Sequence, residues 1–364
     1  MKERGVVLSG MRPTGRLHLG NLWGALRNWI ALTEEYDCYY AVADWHMLTT
    51  GYGETGSLRE NMREMVLDWL AAGLDPARCV IFRQSLVPEH AELALLLGMA
   101  TPLSWLENNP TWKEQLQELA KTKHSALRET QDGKGQGAKE RTPKAREALW
   151  ELRTYGFLGY PVLQAADILI YRASRVPVGQ DQLPHLELSR EIARRFNAIY
   201  GPVFPEPQPL LTQAPRVPGA DGRKMSKSYG NTLDLYETED SLKAKVMSLY
   251  TDPNKIRALD PGHPLPCPEN EPGCSVFALH QLYGGPDFVP RRERECRAGE
   301  IGCVACKRDL LGELAGPYSE FRSARERYSS QPGLVEGILE EGSRRAREVA
   351  RRTMAEVRRA MRLS

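Results

Sequence analysis

The 364-residue sequence lacks the features that mark membrane, secreted and repeat proteins. It contains no run of eighteen apolar residues, which a membrane-spanning helix would need. The first residues, Met1 to Gly5, lack the apolar core of a signal peptide, and no internal repeat is evident. We therefore expect a cytoplasmic protein whose seven cysteines are reduced or metal-bound rather than joined in disulfides.

An excess of charge of one sign is also absent, because the net charge is only +2. With 41% hydrophobic and 26% charged residues, the composition is that of an ordinary globular protein, and the length allows two domains. Positive charge is concentrated in residues 121–146 and 343–364, each with eight basic residues. Such stretches are typical either of phosphate-binding surfaces or of solvated helix faces.

Short apolar runs alternate with amphipathic helical patterns over the first two hundred residues. The predicted strands are 5–10, 37–43 and 79–84, and the predicted helices are 20–35, 57–73 and 89–101. This alternation predicts an α/β fold with a doubly wound parallel sheet.

Beyond residue 234 the strand signals fade and helical patterns dominate. We therefore predict a first domain over 1–233 and an all-helical second domain over 234–364. Residues 121–146 lack periodicity and are rich in glycine and lysine. They predict a flexible, exposed basic insertion, with a linker of no function as the alternative.

Two short segments far apart in the chain have the residues needed to bind a polyphosphate. In the first, Pro13–Asn21, an apolar run leads into a helical pattern, so that His18 and Gly20 lie at a strand-to-helix junction. Free backbone N–H groups and the helix dipole favour an anion there, and glycine allows a flat ring to approach the backbone. The second, Lys224–Ser228, places two ammonium groups on a glycine-flanked loop, where they can neutralise charge that builds during a reaction.

Polar residues near the ends of predicted elements indicate a binding pocket. His46 follows the second predicted strand, at the edge where open α/β sheets bind ligands. Gln164 and Asp167 are three residues apart on one helix face, with Tyr160 one turn before them. Asp167 lies between apolar residues, where an unpaired carboxylate is costly. We therefore expect a ligand N–H or O–H to supply its hydrogen-bond donor.

Together these segments resemble bacterial tryptophanyl-tRNA synthetases, which are class I aminoacyl-tRNA synthetases with a Rossmann-like catalytic domain. The likeness covers nearly the whole chain except residues 121–146. It rests on His18-Leu-Gly-Asn, Lys224-Met-Ser-Lys-Ser, Ala43-Asp-Trp-His, Tyr160-Pro-Val-Leu-Gln-Ala-Ala-Asp and Pro177-Val-Gly-Gln-Asp-Gln. The resemblance implies a ligase that activates L-tryptophan with ATP and Mg²⁺ to tryptophanyl-adenylate, then transfers it to the 3′ end of tRNA(Trp). It also implies a homodimer, with residues 234–364 as the anticodon-binding domain.

The same resemblance implies a role for individual residues. Asp167 would accept the indole N–H of tryptophan, and the amino acid would be bound by Leu8, His46, Tyr160, Gln164, Asp167 and Gln182. ATP would be held by Arg12, Pro13, Thr14, Gly20, Asn21, Gly179, Gln180, Asp181, Val217, Lys224, Met225, Ser226, Lys227 and Ser228. The catalytic residues would be His18, Lys113, Lys224 and Lys227. Around Lys113 the chain departs from the family, which often has Arg-Met-Thr-Gln-Phe-Lys where this sequence reads Asn-Pro-Thr-Trp-Lys.

Tyrosyl-tRNA synthetases, which share the fold, are one alternative. They typically place tyrosine where this chain has Leu8 and aspartate where it has Arg12. Leu8 suits an indole ring and would leave a phenol oxygen under-bonded, so the sequence favours tryptophan. A non-catalytic paralogue that binds tRNA or a small ligand is a second alternative, but it predicts loss of signature residues that are all present.

Four of the seven cysteines are predicted to bind a [4Fe–4S] cluster: Cys274, Cys296, Cys303 and Cys306. Their spacing is Cys-x21-Cys-x6-Cys-x2-Cys, and its last two members form a typical bite for a metal. Some bacterial tryptophanyl-tRNA synthetases carry a similar motif, whose first cysteine precedes a His-Gln pair as Cys274 does here. Structural zinc and free thiols are the alternatives, and Cys267 is an alternative first ligand. The two remaining cysteines, Cys38 and Cys79, fit strand patterns and are predicted to be buried core thiols.

Overall fold

The computed structural model describes residues 4–109, 112, 154–211 and 217–363. Within them a sheet of five parallel strands has the order β3-β2-β1-β4-β5. The strands are β1 Val6–Met11, β2 Asp37–Val42, β3 Val80–Arg83, β4 Arg175–Val178 and β5 Gln208–Leu211. The strand order reverses between β1 and β4, the position at which sheets of this kind bind ligands beyond their carboxyl ends. The predicted α/β fold is confirmed.

Helices cover both faces of the sheet. Those of the first part are α1 Leu19–Asn21, α2 Arg27–Leu32, α3 Asp44–Gly51, α4 Leu58–Ala71, α5 Glu89–Ala100, α6 Leu103–Glu107, α7 Tyr155–Ile170 and α8 Leu183–Tyr200. A π-helical turn, Leu22–Leu26, lies between α1 and α2. Neighbouring strand residues such as Val7 and Leu8 enter two different apolar clusters, because successive side chains point to opposite faces of a sheet.

The described regular structure beyond residue 234 is helical, as expected. The helices are α9 Glu239–Ser248, α10 Ser275–Tyr283, α11 Phe288–Ala298, α12 Cys303–Ser329 and α13 Leu334–Ala360. An irregular stretch rich in proline and glycine separates α9 from α10. None of the helices in the described part of the chain has the length and apolar character to cross a membrane.

Helix α13 packs back onto the edge strand β3. A Cβ atom on Gly342 would lie 1.8 Å from the carbonyl oxygen of Ile81, so only glycine permits this approach. The next residue, Ser343, accepts the backbone N–H of Arg83 through its hydroxyl oxygen at 3.1 Å. The helix therefore covers an edge that would otherwise expose unpaired backbone groups.

The basic stretch 343–364 is partly used in this contact. Arg347 and Arg351 pair with Glu89, and Arg358 pairs with Glu92, both on α5. These three arginines are therefore partly exposed and are paired with carboxylates of the same chain.

The sequence missed β4 and β5 and predicted the other strands to within about two residues. Both missed strands have only four residues and contain a proline, at Pro177 and Pro209, which weakens a strand pattern. The predicted helix 20–35 is interrupted by the π-helical turn. Residues 121–146 and Lys113 lie outside the described residues.

Candidate active site

A cavity of about 440 Å³ opens at the carboxyl ends of β1 and β4. Its volume is in the range of small-molecule sites. The lining includes Arg12 and all six residues predicted to bind tryptophan: Leu8, His46, Tyr160, Gln164, Asp167 and Gln182. Four separate segments bring these side chains together at the same edge of the sheet: Leu8 is on β1, His46 is on α3, Tyr160, Gln164 and Asp167 are on α7, and Gln182 is in the turn before α8.

Asp167 is buried at this cavity and is hydrogen-bonded at both carboxylate oxygens. Gln84 Nε2 donates to Oδ1 at 2.9 Å and to Oδ2 at 2.8 Å. His46 Nε2 donates to Oδ2 at 2.8 Å, and His90 Nδ1 donates to Oδ1 at 2.6 Å. His90 Nε2 then accepts the hydroxyl of Tyr171 at 2.7 Å. Because a carboxylate only accepts, the two imidazole nitrogens that face it carry protons.

Burial alone would raise the pKa of the Asp167 carboxyl. The adjacent His90 and the hydrogen bonds from His46 and His90 outweigh burial and hold this pKa below its usual range. The group is therefore ionised at neutral pH and offers a charged acceptor to any N–H that enters the cavity.

The sequence predicted that a ligand would supply the hydrogen-bond donor to Asp167, whereas three protein side chains already do so. Two of them, Gln84 and His90, were not predicted at all, and both are fully buried. A signal was available, because Gln84 directly follows the apolar strand β3 at the ligand-binding edge of the sheet. Of the three donors, only His46 lines the cavity.

The first signature segment forms the turn before α1. His18 is the N-cap residue, and its backbone N–H donates to the side-chain oxygen of Asn21 at 3.1 Å. A Cβ atom on Gly20 would lie 3.0 Å from the His18 ring and 3.5 Å from the Cβ of Met225. A larger residue would therefore crowd the point where the two signature segments meet, and the ring that approaches the Gly20 backbone is that of His18.

His18 is buried, and burial together with the nearby Lys227 lowers the pKa of its imidazole to about 4, although Asp234 opposes this shift. The side chain is therefore neutral at pH 7. In the unfolded chain His18 has its ordinary pKa of 6.5, whereas in the folded chain its pKa is about 4. Between these two pH values the unfolded chain binds a proton that the folded chain does not. The free energy of unfolding should consequently fall as the pH falls through this window.

An NMR titration of the histidine ring protons, with a His18→Gln variant to assign the signal, measures this directly. We expect a midpoint near 4 for His18. A midpoint near 6.5 would show that the ring is exposed to solvent and would contradict its placement.

A buried ionic network stabilises the turn of the first signature segment, which contains His18. Asp68 on α4 is fully buried and accepts the backbone N–H of Leu17 at 2.6 Å and Arg325 Nε at 2.6 Å. Arg325, on α12, also donates to Glu64 at 2.7 Å. The helical region is thereby connected to the residue that precedes His18. Sequence reasoning missed this network, because nothing local in the sequence pairs residues 257 positions apart.

The second signature segment lies against the first. Lys227 is exposed, but its Nζ donates to the carbonyl oxygen of Thr14 at 2.7 Å, and partial desolvation of the ammonium group lowers its pKa. Met225 is buried in the core and anchors the loop, whereas Lys224 is exposed. Two cations therefore lie on an anchored loop beside the predicted phosphate-binding turn.

The remaining residues predicted to hold ATP lie on the same edge of the sheet or beside it. Gly179 and Gln180 follow β4 directly and lead into the turn before α8. Val217 is buried, and its carbonyl oxygen accepts the backbone N–H of Met225 at 3.3 Å.

The four cysteines predicted to bind a metal lie in one region of the helical part. Burial and the neighbouring Cys296 and Cys303 raise the pKa of Cys274 to about 11. Burial raises that of Cys306 to about 12, with smaller contributions from Cys274 and Cys296. All four thiols are thus close enough to interact electrostatically. Among the described residues, however, no three His, Cys, Asp or Glu side chains are arranged as a ready metal site.

Comparison with known proteins agrees with this geometry. A family model described as tRNA synthetases class I (W and Y) matches residues 1–314. The tryptophan–tRNA ligase of Aquifex aeolicus is 48% identical over 98% of this chain and 99% of its own length. That of Thermotoga maritima is 47% identical over 98% and 99%. The tryptophanyl-tRNA synthetase of Campylobacter jejuni, solved with ADP and tryptophan, superimposes with a TM-score of 0.78 at 28% identity over 98% and 99% of the two chains.

The chain therefore belongs to the class I tRNA synthetases of the tryptophan and tyrosine group. Its full-length relatives at 47–48% identity resolve the choice between the two amino acids. Within the group, the chain belongs to the tryptophan–tRNA ligases, and the tyrosine alternative from the sequence is set aside.

Proposed function

We propose that this ligase binds tryptophan in the 440 Å³ cavity with its indole N–H directed at Asp167. The single observation that carries the proposal is a buried, ionised carboxylate in a cavity whose wall at Leu8 is apolar. His46 is the only one of the three donors to Asp167 that lines this cavity. The indole N–H would therefore bind Asp167 Oδ2, the oxygen to which His46 donates, and would either replace His46 there or share that oxygen with it. Leu8 would pack against the ring, and Tyr160, Gln164 and Gln182 would orient the amino acid.

Activation needs no nucleophile from the protein, because the substrate carboxylate is already ionised. One of its oxygens attacks the α-phosphorus of ATP, the bond to the bridging oxygen breaks, and pyrophosphate leaves. The protein positions the reactants and stabilises charge on the leaving group. Neutral His18 and the turn around it would lie at the phosphates, and Lys224 and Lys227 would neutralise them. Mg²⁺ would arrive with ATP and add to this neutralisation.

The transfer step gives the most direct test of the whole function. The aminoacyl group passes to a ribose hydroxyl of the terminal adenosine of tRNA(Trp). Incubating the purified chain with ATP, Mg²⁺, a tRNA pool and radiolabelled tryptophan should charge one tRNA species. Absence of charging, with tRNA shown to be intact, would contradict the proposal.

We also propose the domain division 1–233 and 234–364, with the second part recognising the tRNA anticodon and 121–146 as a basic insertion. The helical content beyond residue 234 supports the division. Free cysteines throughout the described chain fit the proposed cytoplasmic location.

A homodimer is proposed as the assembly. An exposed apolar surface supports it, since large side chains on the neighbouring helices α5 to α8 are half or more exposed: Leu95, Met99, Leu103, Tyr155 and Ile199. Apolar side chains clustered in this way on a protein surface often mark an interface with another chain.

A [4Fe–4S] cluster is proposed at Cys274, Cys296, Cys303 and Cys306. The surroundings fit a group of negative charge. Cys274 precedes α10 and accepts the backbone N–H groups of Val276 and Phe277, and Cys303 begins α12, where the helix dipole is positive. The guanidinium of Arg292 is almost fully buried beside Cys306; its Nη1 has no hydrogen-bond partner among the described residues, and its Nε has only an ion pair with Glu295 Oε2 at 3.4 Å. A cluster ligated by four thiolates would carry net negative charge, and its sulfur atoms would be acceptors for Nη1.

The metal content of protein purified without oxygen tests this cluster. We expect brown protein that absorbs near 400 nm with about four irons per chain, and colourless protein when Cys303 and Cys306 are both replaced by serine. A colourless wild-type preparation with one zinc per chain would show that the four cysteines bind zinc instead of a cluster. Active protein without metal would show that they are free thiols.

A further inference from the structure

Asn231 lies three residues after the Lys224–Ser228 segment, and its side chain is almost fully buried, 3% exposed. Its Oδ1 accepts the backbone N–H of Ser226 at 2.8 Å. Its Nδ2 donates to the carbonyl oxygen of Lys224 at 3.2 Å and to Asp221 Oδ1 at 2.7 Å. One amide therefore holds the backbone on both sides of Met225.

The surrounding backbone is shaped to receive this amide. A Cβ atom on Gly219 would lie 2.2 Å from Asn231 Nδ2, so the position tolerates only glycine. The carbonyl oxygen of Asn231 accepts the N–H of Ala220 at 2.9 Å. The base of the loop is held further by Ser275, whose hydroxyl donates to the carbonyl oxygen of Gly219 at 3.0 Å. Asn231 thus joins the segment 219–221 to the loop that carries the lysines.

The part of the loop beyond this hold is exposed. Lys227–Tyr229 form a short 3₁₀ turn, and Gly230 has a φ of 63°, which lets the chain turn back towards Asn231. In the described structure Lys227 contacts Thr14 in the first signature, so it must exchange this partner for phosphate when ATP binds. A fixed base with an exposed tip allows that exchange without displacing the loop.

We propose that Asn231 is the positioning residue of the signature loop: it fixes the backbone of Lys224 and Ser226 so that both lysines reach the triphosphate together as charge develops. The proposal rests on the function proposed above for Lys224 and Lys227. It assigns no contact with substrate to Asn231.

The first variant to test is Asn231→Ala, measured by tryptophan-dependent pyrophosphate exchange. We expect kcat to fall by at least about tenfold, with the KM for tryptophan unchanged, because no residue of the tryptophan cavity contacts this amide. Hydrogen exchange should show loss of protection at the Ser226 amide. The matched control is Asn197→Ala, which removes an amide that makes three similar hydrogen bonds in the loop after α8 and should leave kcat unchanged.

A double-mutant cycle separates positioning from simple structural damage. Asn231→Asp keeps the acceptor for Ser226 but places a carboxylate against Asp221, and we expect kcat to fall as in Asn231→Ala. Asp221→Asn alone should be close to wild type, because Asn231 can still donate to the new amide oxygen. Combining the two lets the new amide at 221 donate to the new carboxylate at 231, and this should recover at least about threefold of the lost kcat.

The outcomes are distinguishable. If wild-type protein catalyses no exchange, the proposed function fails before this inference is reached. If wild type is active and Asn231→Ala lowers kcat by less than about threefold, the positioning role is wrong. It is equally wrong if kcat falls but the KM for tryptophan rises in parallel and the double variant recovers nothing, since that pattern reports general structural damage.

Discussion

Asp167→Ala is expected to lower kcat/KM for tryptophan by roughly 30- to 900-fold, which corresponds to about 2–4 kcal/mol of lost transition-state binding. The indole N–H would lose the charged acceptor proposed for it. His46, Gln84 and His90 would lose their shared acceptor as well. Asp167→Asn keeps one acceptor oxygen and should cost less. The measurement is tryptophan-dependent pyrophosphate exchange with ATP saturating.

Loss of stability accompanies the removal of any buried carboxylate, so a matched variant is needed. Asp252→Ala serves, since Asp252 is also buried and accepts from the backbone N–H groups of Asn254 and His263 and from the His263 ring. It should lower Tm while leaving kcat/KM for tryptophan within about threefold of wild type. A change below threefold in Asp167→Ala would remove this residue from the recognition of tryptophan.

Replacing Lys224 or Lys227 by alanine should lower kcat for pyrophosphate exchange by at least about tenfold, with a smaller change in the KM for ATP. The charge that these ammonium groups are proposed to neutralise is greatest on the leaving pyrophosphate, so their effect should fall mainly on the transition state. In Lys227→Ala the contact with Thr14 is lost too, which frees the loop tip in the absence of ATP.

Lys243→Ala, an exposed lysine on α9, is the control for a change of net charge and should have no effect on kcat. If the signature variants raise only the KM for ATP, the loop acts as a passive clamp, and its assigned role in the transition state is wrong.

Local patterns in the sequence predicted much of the fold and of the cavity. The strands β1, β2 and β3 are apolar runs between turn residues, and a parallel sheet places their carboxyl ends together whatever the loops do. Leu8, His46 and Asp167 could therefore be assigned to one pocket from their positions in the elements. The order of the strands in the sheet and the existence of the short strands β4 and β5 could not be predicted, because neither produces a periodic pattern in the sequence.

What the sequence could not provide is the set of partners for buried polar groups. The carboxylate of Asp167 was predicted to depend on a ligand, whereas Gln84, directly after β3, and His90, on α5, already supply donors. Arg325 and Asp68 meet only because α12 packs against α4, which is a property of the tertiary structure. Asn231 was likewise invisible, since its contacts form only when the signature loop folds back on itself.

The measurement that tests the central claim most directly is pyrophosphate exchange by the wild-type enzyme, with tryptophan and tyrosine compared at equal concentrations. The account predicts exchange that requires tryptophan and ATP and is not supported by tyrosine, because Leu8 offers no partner to a phenol hydroxyl. Exchange with tyrosine at a similar rate, or no exchange with tryptophan, would contradict it.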